Sequence, residues 1–171
     1  VRNHLAYVDR FLAPSQFLKD RYVAWGLPES RIVVMPNARP GVSPAPARPL
    51  AAGEERNRFA YFGNISPHKG LPVLLQAARL LAERSNGGFQ IAVHGGMPFQ
   101  DPAFIARMKE EMAALRAHVQ WTDGYDAGDV PRLMAQTDWT VMPSIWWENA
   151  PLVIQEAFQH GRPVIASDLG G

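Results

Sequence analysis

A chain of 171 residues, 47% hydrophobic and 19% charged, is long enough to bury a core. Its 17 Lys and Arg against 16 Asp and Glu leave a formal net charge of +1, which offers no broad field to draw in nucleic acid or an anionic membrane. No cysteine is present, so disulfides and thiolate metal sites are excluded, and no apolar run approaches the roughly 18 residues of a membrane-spanning helix.

In chain order, Arg10 to Ala13 reads as a short strand, Ser15 as a helix cap, Gln16 to Trp25 as a helix stopped by Gly26, and Arg31 to Met35 as a β-branched strand. From Pro36 to Arg56, Pro, Ala and Gly dominate and neither the helical nor the strand period survives. This divides the chain into a leading βαβ piece over 1–37, a linker over 38–57, and a main domain over 58–171.

The main domain alternates short apolar runs with segments of helical period. Strands are expected at Phe59 to Gly63, Phe89 to His94, His118 to Thr122, Trp139 to Met142 and Pro163 to Ala166. Helices are expected at 71–84, 102–117, 128–136 and 150–160, with stops at Asn86-Gly87-Gly88 and Gly161-Arg162-Pro163. Such alternation predicts an α/β fold: a Rossmann-like parallel sheet with helices on both faces. Ligands in that architecture bind outside the carboxyl ends of the strands, so the loops that follow strands carry the functional reading.

The first such loop is Gly63-Asn64-Ile65-Ser66-Pro67-His68-Lys69-Gly70. Glycines let backbone approach a ligand, the following helix start presents N–H groups, and Lys69 adds a positive charge, a combination suited to phosphate. A tight turn with a solvated lysine explains the same residues. Neither the Walker pattern nor G-x-G-x-x-G is present after this strand. In the second loop, Gly95 and Gly96 allow either close ligand approach or a turn required by the sheet, and His94 reads as structural. No histidine stands at metal-ligand spacing from it, and no metal site is expected.

The fourth loop runs Pro143-Ser144-Ile145-Trp146-Trp147-Glu148-Asn149-Ala150-Pro151 into a helix that contains Glu156. Asn149 or Ala150 is a candidate cap, Pro151 fits the first turn, and the amides of Leu152 and Val153 remain for an anion. Glu156 follows Glu148 by eight positions, roughly 12 Å along a helix axis, too far for a close acid/base pair. An extended ligand with hydroxyls at both ends and negative charge between them fits that span. Each glutamate also has a plain alternative, Glu148 as a charge at a helix start and Glu156 as a helix-surface carboxylate. Trp146 and Trp147 are read as packing beneath the loop rather than against a ligand.

GNISPHKG, followed by PSIWWENAPLVIQEAFQHGRPVIASDLGG, resembles the donor-binding domain of the retaining GT-B glycosyltransferases of the group 1 type, marked by two glutamates with seven residues between them. The resemblance runs from about Val8 to Gly171. It implies two Rossmann-like domains in the parent enzyme, the N-terminal one for the acceptor and the C-terminal one for a nucleotide sugar. Residues 1–37 would be the trailing segment of the acceptor domain, and 58–171 a donor domain incomplete at its C-terminal end.

On this resemblance Glu148 faces the donor sugar and is the catalytic candidate, Glu156 accepts hydrogen bonds from the ribose, and Lys69 meets the diphosphate. Gly63 and the helix start at Asn149, Ala150 and Leu152 face phosphate, and the base packs near Asp123 to Tyr125. Asn64 stands where the family usually has an arginine, which removes a charge from the diphosphate site. The resemblance implies sugar transfer from a nucleoside diphosphate sugar, of UDP or GDP type, to an acceptor hydroxyl with retention and without metal or other cofactor. The acceptor, a glycan, lipid or small molecule, would be held by the missing N-terminal domain, so the chain alone is expected to be inactive. No nucleic-acid partner is expected. The compartment is expected to be cytoplasmic, with peripheral membrane association of the parent open. A related GT-B epimerase or phosphorylase and a non-catalytic nucleotide-sugar-binding module remain alternatives.

Overall fold

A computed structural model describes residues 2–38, 41, 43–84 and 88–171. The chain forms two compact units, one of Val1–Gly41, Trp146–Leu152 and Asp168–Gly171, the other of Val42–Ile145 and Val153–Ser167.

The smaller unit contains helix α1 (Arg2–Leu5), strand β1 (Phe11–Ala13), helix α2 (Gln16–Ala24) and strand β2 (Ile32–Val34). β1 and β2 pair in parallel, with Phe11 beside Ile32 and Ala13 beside Val34. α2 starts where Ser15 Oγ accepts from the Leu18 amide at 3.2 Å, and ends before Gly26, whose φ of +104° suits glycine. The βαβ reading of this stretch holds; the short helix α1 was not anticipated.

The larger unit carries β3 (Arg58–Phe62), α3 (Leu71–Arg84), β4 (Gln90–His94), α4 (Pro102–Ala114), β5 (Val119–Thr122), α5 (Val130–Ala135), β6 (Trp139–Met142), α6 (Leu152–Gln159, whose first residue clusters with the smaller unit) and β7 (Val164–Ala166). Its five strands are all parallel, in the order β5-β4-β3-β6-β7. The expected Rossmann-like sheet is therefore present. α4 stops at Ala114, short of the expected 117, because the amides of His118 and Val119 turn back to the Leu115 carbonyl. α6 begins at Leu152, so Pro151 directly precedes the helix instead of lying in its first turn. Of the Asn86-Gly87-Gly88 stop, Asn86 and Gly87 lie outside the described residues.

Alternation along the strands splits the core into two faces. Tyr61, Ile91, Val93, Val119 and Val141 pack under α3 and α4 with Leu71, Leu74, Leu75, Ala78, Met108 and Met112. Ala60 and Phe62 face the other way, onto Val130, Leu133 and Met134 of α5 and Ala157 of α6. The buried positions of α3 fall on one helical stripe, and each fully buried leucine contributes about 1.5–3 kcal/mol.

Part of the Pro- and Ala-rich stretch is tied to this body. Ala45 is buried, its amide donates to His160 Nδ1 at 2.9 Å, and Arg162 donates to the Ala45 and Pro46 carbonyls. Arg48 and Arg56 both pair with the buried Asp138 carboxylate, at 3.0 and 2.9 Å. Burial disfavours the Asp138 charge, but the bonds from Arg56, Arg48 and the Arg58 amide outweigh it and hold the carboxyl below its ordinary range.

Candidate functional site

Three loops at the carboxyl ends of the strands are locked together within the larger unit. After β3, Gly63 takes φ +123°, its amide donates to the His94 carbonyl at 3.0 Å, and Tyr61 Oη donates to the Asn64 carbonyl at 2.9 Å. The Ile65 amide then reaches the Gly96 carbonyl at 2.8 Å. Lys69, half-buried, closes a 3-10 turn over Pro67–Lys69, and Gly70, at φ +72°, leads into α3. A β-carbon at Gly70 would overlap the Pro143 carbonyl oxygen, and one at Gly95 would overlap the Gly63 carbonyl. These two glycines are therefore demanded by close backbone approach. The Ile145 amide donates to the His68 carbonyl at 2.9 Å, a second tie between the lysine loop and the loop after β6.

The loop after β5 carries Asp123, which is exposed, Gly124 at φ +73°, and half-buried Tyr125. Tyr125 meets Phe62 edge-on at 5.7 Å and lies 6.4 Å from the His94 ring. His94 is 8% exposed, stacks obliquely on Phe62 at 5.0 Å, and its buried Nδ1 has no hydrogen-bond partner among the described residues. Burial first, and the positive charge of Arg132 second, lower its pKa below the ordinary histidine value. The His94 ring is thus packed between Phe62 and Tyr125, while its backbone carbonyl accepts from the Gly63 amide. Glu156 sits half-buried on α6, and Asn64 is exposed.

The smaller unit contains Glu148, Asn149, Ala150 and Leu152. Glu148 is half-buried and forms a parallel bridge with Gly170, reinforced by the Gly171 amide donating to the Glu148 carbonyl at 2.8 Å. The Ala150 carbonyl accepts from Asn37 Nδ2 at 3.5 Å. Trp146 and Trp147 are 61% and 54% exposed, which overturns the expectation that they fill a core. Trp147 instead meets Phe17 of α2 edge-on at 5.8 Å. Neither Gly170 nor Phe17 was singled out in the sequence; both lie far along the chain from Glu148, and no local spacing connects them.

Among the described residues no group of three His, Cys, Asp or Glu side chains clusters as a metal site, and no helix is long and apolar enough to cross a membrane.

Comparison with known proteins extends this picture. The D-inositol 3-phosphate glycosyltransferase of Jonesia denitrificans is 30% identical over 125 residues, covering 71% of this chain and 29% of that protein. Anabaena Alr3699/HepE superimposes with a TM-score of 0.78 in complex with UDP, at 21% identity, covering 100% of this chain and 48% of HepE. Its UDP-glucose complex gives a TM-score of 0.75 at 23% identity, covering 99% and 49%. The C-terminal domain of a glycosyl transferase group 1 family protein, LpcC from Francisella tularensis, matches 67% of this chain and 59% of its own length with a TM-score of 0.57 at 23% identity. The chain therefore spans about a third of the curated relative and about half of HepE. The family model for glycosyl transferases group 1 matches residues 45–171, and with its GT-B-like fold the chain belongs to that family.

Proposed function

We propose that this chain provides the nucleotide-sugar-binding half of a retaining glycosyltransferase that transfers a sugar from a nucleoside diphosphate donor to an acceptor hydroxyl. The observation that carries this reading is the backbone lock between the lysine loop and the loop after β6, through Gly70 against Pro143 and Ile145 to His68. It fixes Lys69 in the turn before α3, at the strand ends where a parallel sheet binds ligands. HepE, of similar fold, has been solved with UDP and with UDP-glucose, which supports a uridine nucleotide as the first donor to try.

In this reading Lys69 stabilises the departing diphosphate, with help from the amides at the start of α6 and from Gly63, while Asn64 contributes a neutral hydrogen bond. Glu156 accepts from the ribose, and Asp123 to Tyr125 flank the base. Glu148 orients the sugar. We assign it this orienting role and no nucleophilic one. In this reading the charge on the leaving group is met by Lys69 and backbone amides. Residues 1–37 are assigned to the acceptor-binding domain of the parent.

Calorimetric titration of the chain with UDP-, GDP- and ADP-sugars tests the proposal. Saturable binding of at least one, competed by its bare diphosphate, is expected. Absence of binding to all three would overturn it.

A further inference from the structure

We infer that Phe17 and Arg21 of α2 are positioning residues for Glu148, acting through Trp147; this rests on the donor-binding reading above. Glu148 lies in the irregular stretch between β6 and α6, so no helix or strand of its own sets its direction. Two sets of contacts within the smaller unit do so instead.

On one side stand the last two residues. Gly170, at φ +102°, bridges Glu148 so closely that a β-carbon there would stand 2.7 Å from the Glu148 amide nitrogen. The Gly171 amide closes on the Glu148 carbonyl at 2.8 Å, and a β-carbon at Gly171 would stand 2.6 Å from the Asn149 carbonyl oxygen. The same β-carbon would overlap Ser15 Oγ, the atom that caps α2.

On the other side is Trp147, the residue immediately before Glu148. Phe17 and Arg21 are one helical turn apart and share a face of α2. The Phe17 ring meets Trp147 at 79°, and the Arg21 guanidinium carbon lies 5.0 Å from the Trp147 ring centroid and 5.9 Å from that of Phe17. Core burial does not account for this cluster, since α2 buries no residue and Trp147 is 54% exposed. What the stack does is hold an indole adjacent in sequence to the carboxylate assigned to the donor sugar. The cap of α2 lies beside Gly171 and its first turns meet Trp147, so one helix borders both sets of contacts that hold Glu148.

The test uses Phe17→Ala and Arg21→Ala, with Phe17→Tyr as the conservative control. In the ligand-free chain, the Gly171 amide should exchange with solvent at least about tenfold faster in both alanine variants, and at the wild-type rate in Phe17→Tyr. Titrations then use UDP-glucose and UDP, or GDP-mannose and GDP if the wild-type chain prefers guanosine. Both alanine variants should lose about five- to tenfold in affinity for the sugar nucleotide while binding the bare diphosphate within about twofold of wild type. Unchanged Gly171 exchange would overturn the inference, and so would equal losses for the two ligands, which would mark a purely structural role. If the wild-type chain bound no sugar nucleotide, the donor-binding reading would fail by itself, and the exchange rates would still decide whether α2 holds the Glu148 backbone.

Discussion

Gly70 leaves room for the carbonyl oxygen of Pro143 at the place where any other residue would put its β-carbon. Its φ of +72° is also one that side chains rarely adopt. Gly70→Ala therefore meets two costs at once, a strained backbone of about 1–3 kcal/mol and a clash with main chain that cannot rotate away. The larger unit should lose at least about 3 kcal/mol in denaturant unfolding, with nucleotide binding lost alongside. A variant with wild-type stability would show that the two loops are not packed as described.

His94 supplies a pH signature. Its pKa is lowered in the folded chain by burial and then by Arg132, so the unfolded chain binds the extra proton first as pH falls. The contribution of this group is fully present above the unfolded value of about 6.5. It is lost progressively as pH falls from there to the depressed folded value. His94→Leu should remove that part of the acid dependence and lose less stability than wild type between neutral pH and the acid side of 6.5. Parallel stability–pH curves would contradict the neutral, buried state of His94.

The phosphate assignment rests on charge. Lys69→Ala should cost the nucleoside diphosphate about ten- to a hundredfold in affinity and the free nucleoside almost nothing. Asn64→Arg should act in the opposite sense, tightening the diphosphate about tenfold by adding a charge-assisted bond. Competition titrations with both ligands check the pair, and equal effects on nucleoside and diphosphate would remove Lys69 from the phosphate.

The sheet was legible because its signals are local. Leu71–Arg84 and Trp139–Met142 were read with their observed bounds, the first from a leucine stripe at helical spacing and the second from an apolar run between turn residues. α4 was read three residues too long because Leu115-Arg116-Ala117 continues a helix-favouring composition with no glycine to stop it. α1 has four residues, too few to show a period. In the site, the glycines and Lys69 could be placed on strand-following loops from sequence alone. The tethers of Glu148 could not: its bridge to Gly170 and the stack of Trp147 on Phe17 join residues distant in the chain, and no periodicity encodes them. The two tryptophans misled for a related reason, since their size suggests burial whereas α2 offers an exposed face to receive one of them.

The most direct measurement of the central claim is the calorimetric comparison of Glu148→Gln and Glu156→Gln against a sugar nucleotide and its bare diphosphate. Eight positions separate the two carboxylates, and the α6 start assigned to phosphate lies between them in the chain. The residue that meets the ribose and the residue that meets the sugar must therefore respond differently. Glu156→Gln should weaken both ligands, by about ten- to a hundredfold for a lost charged acceptor, whereas Glu148→Gln should weaken only the sugar-bearing one. If Glu148→Gln weakens the bare diphosphate as much as the sugar nucleotide, the assigned orientation is wrong; if neither substitution changes either titration, the two glutamates are ordinary surface carboxylates and the donor site is not where we place it.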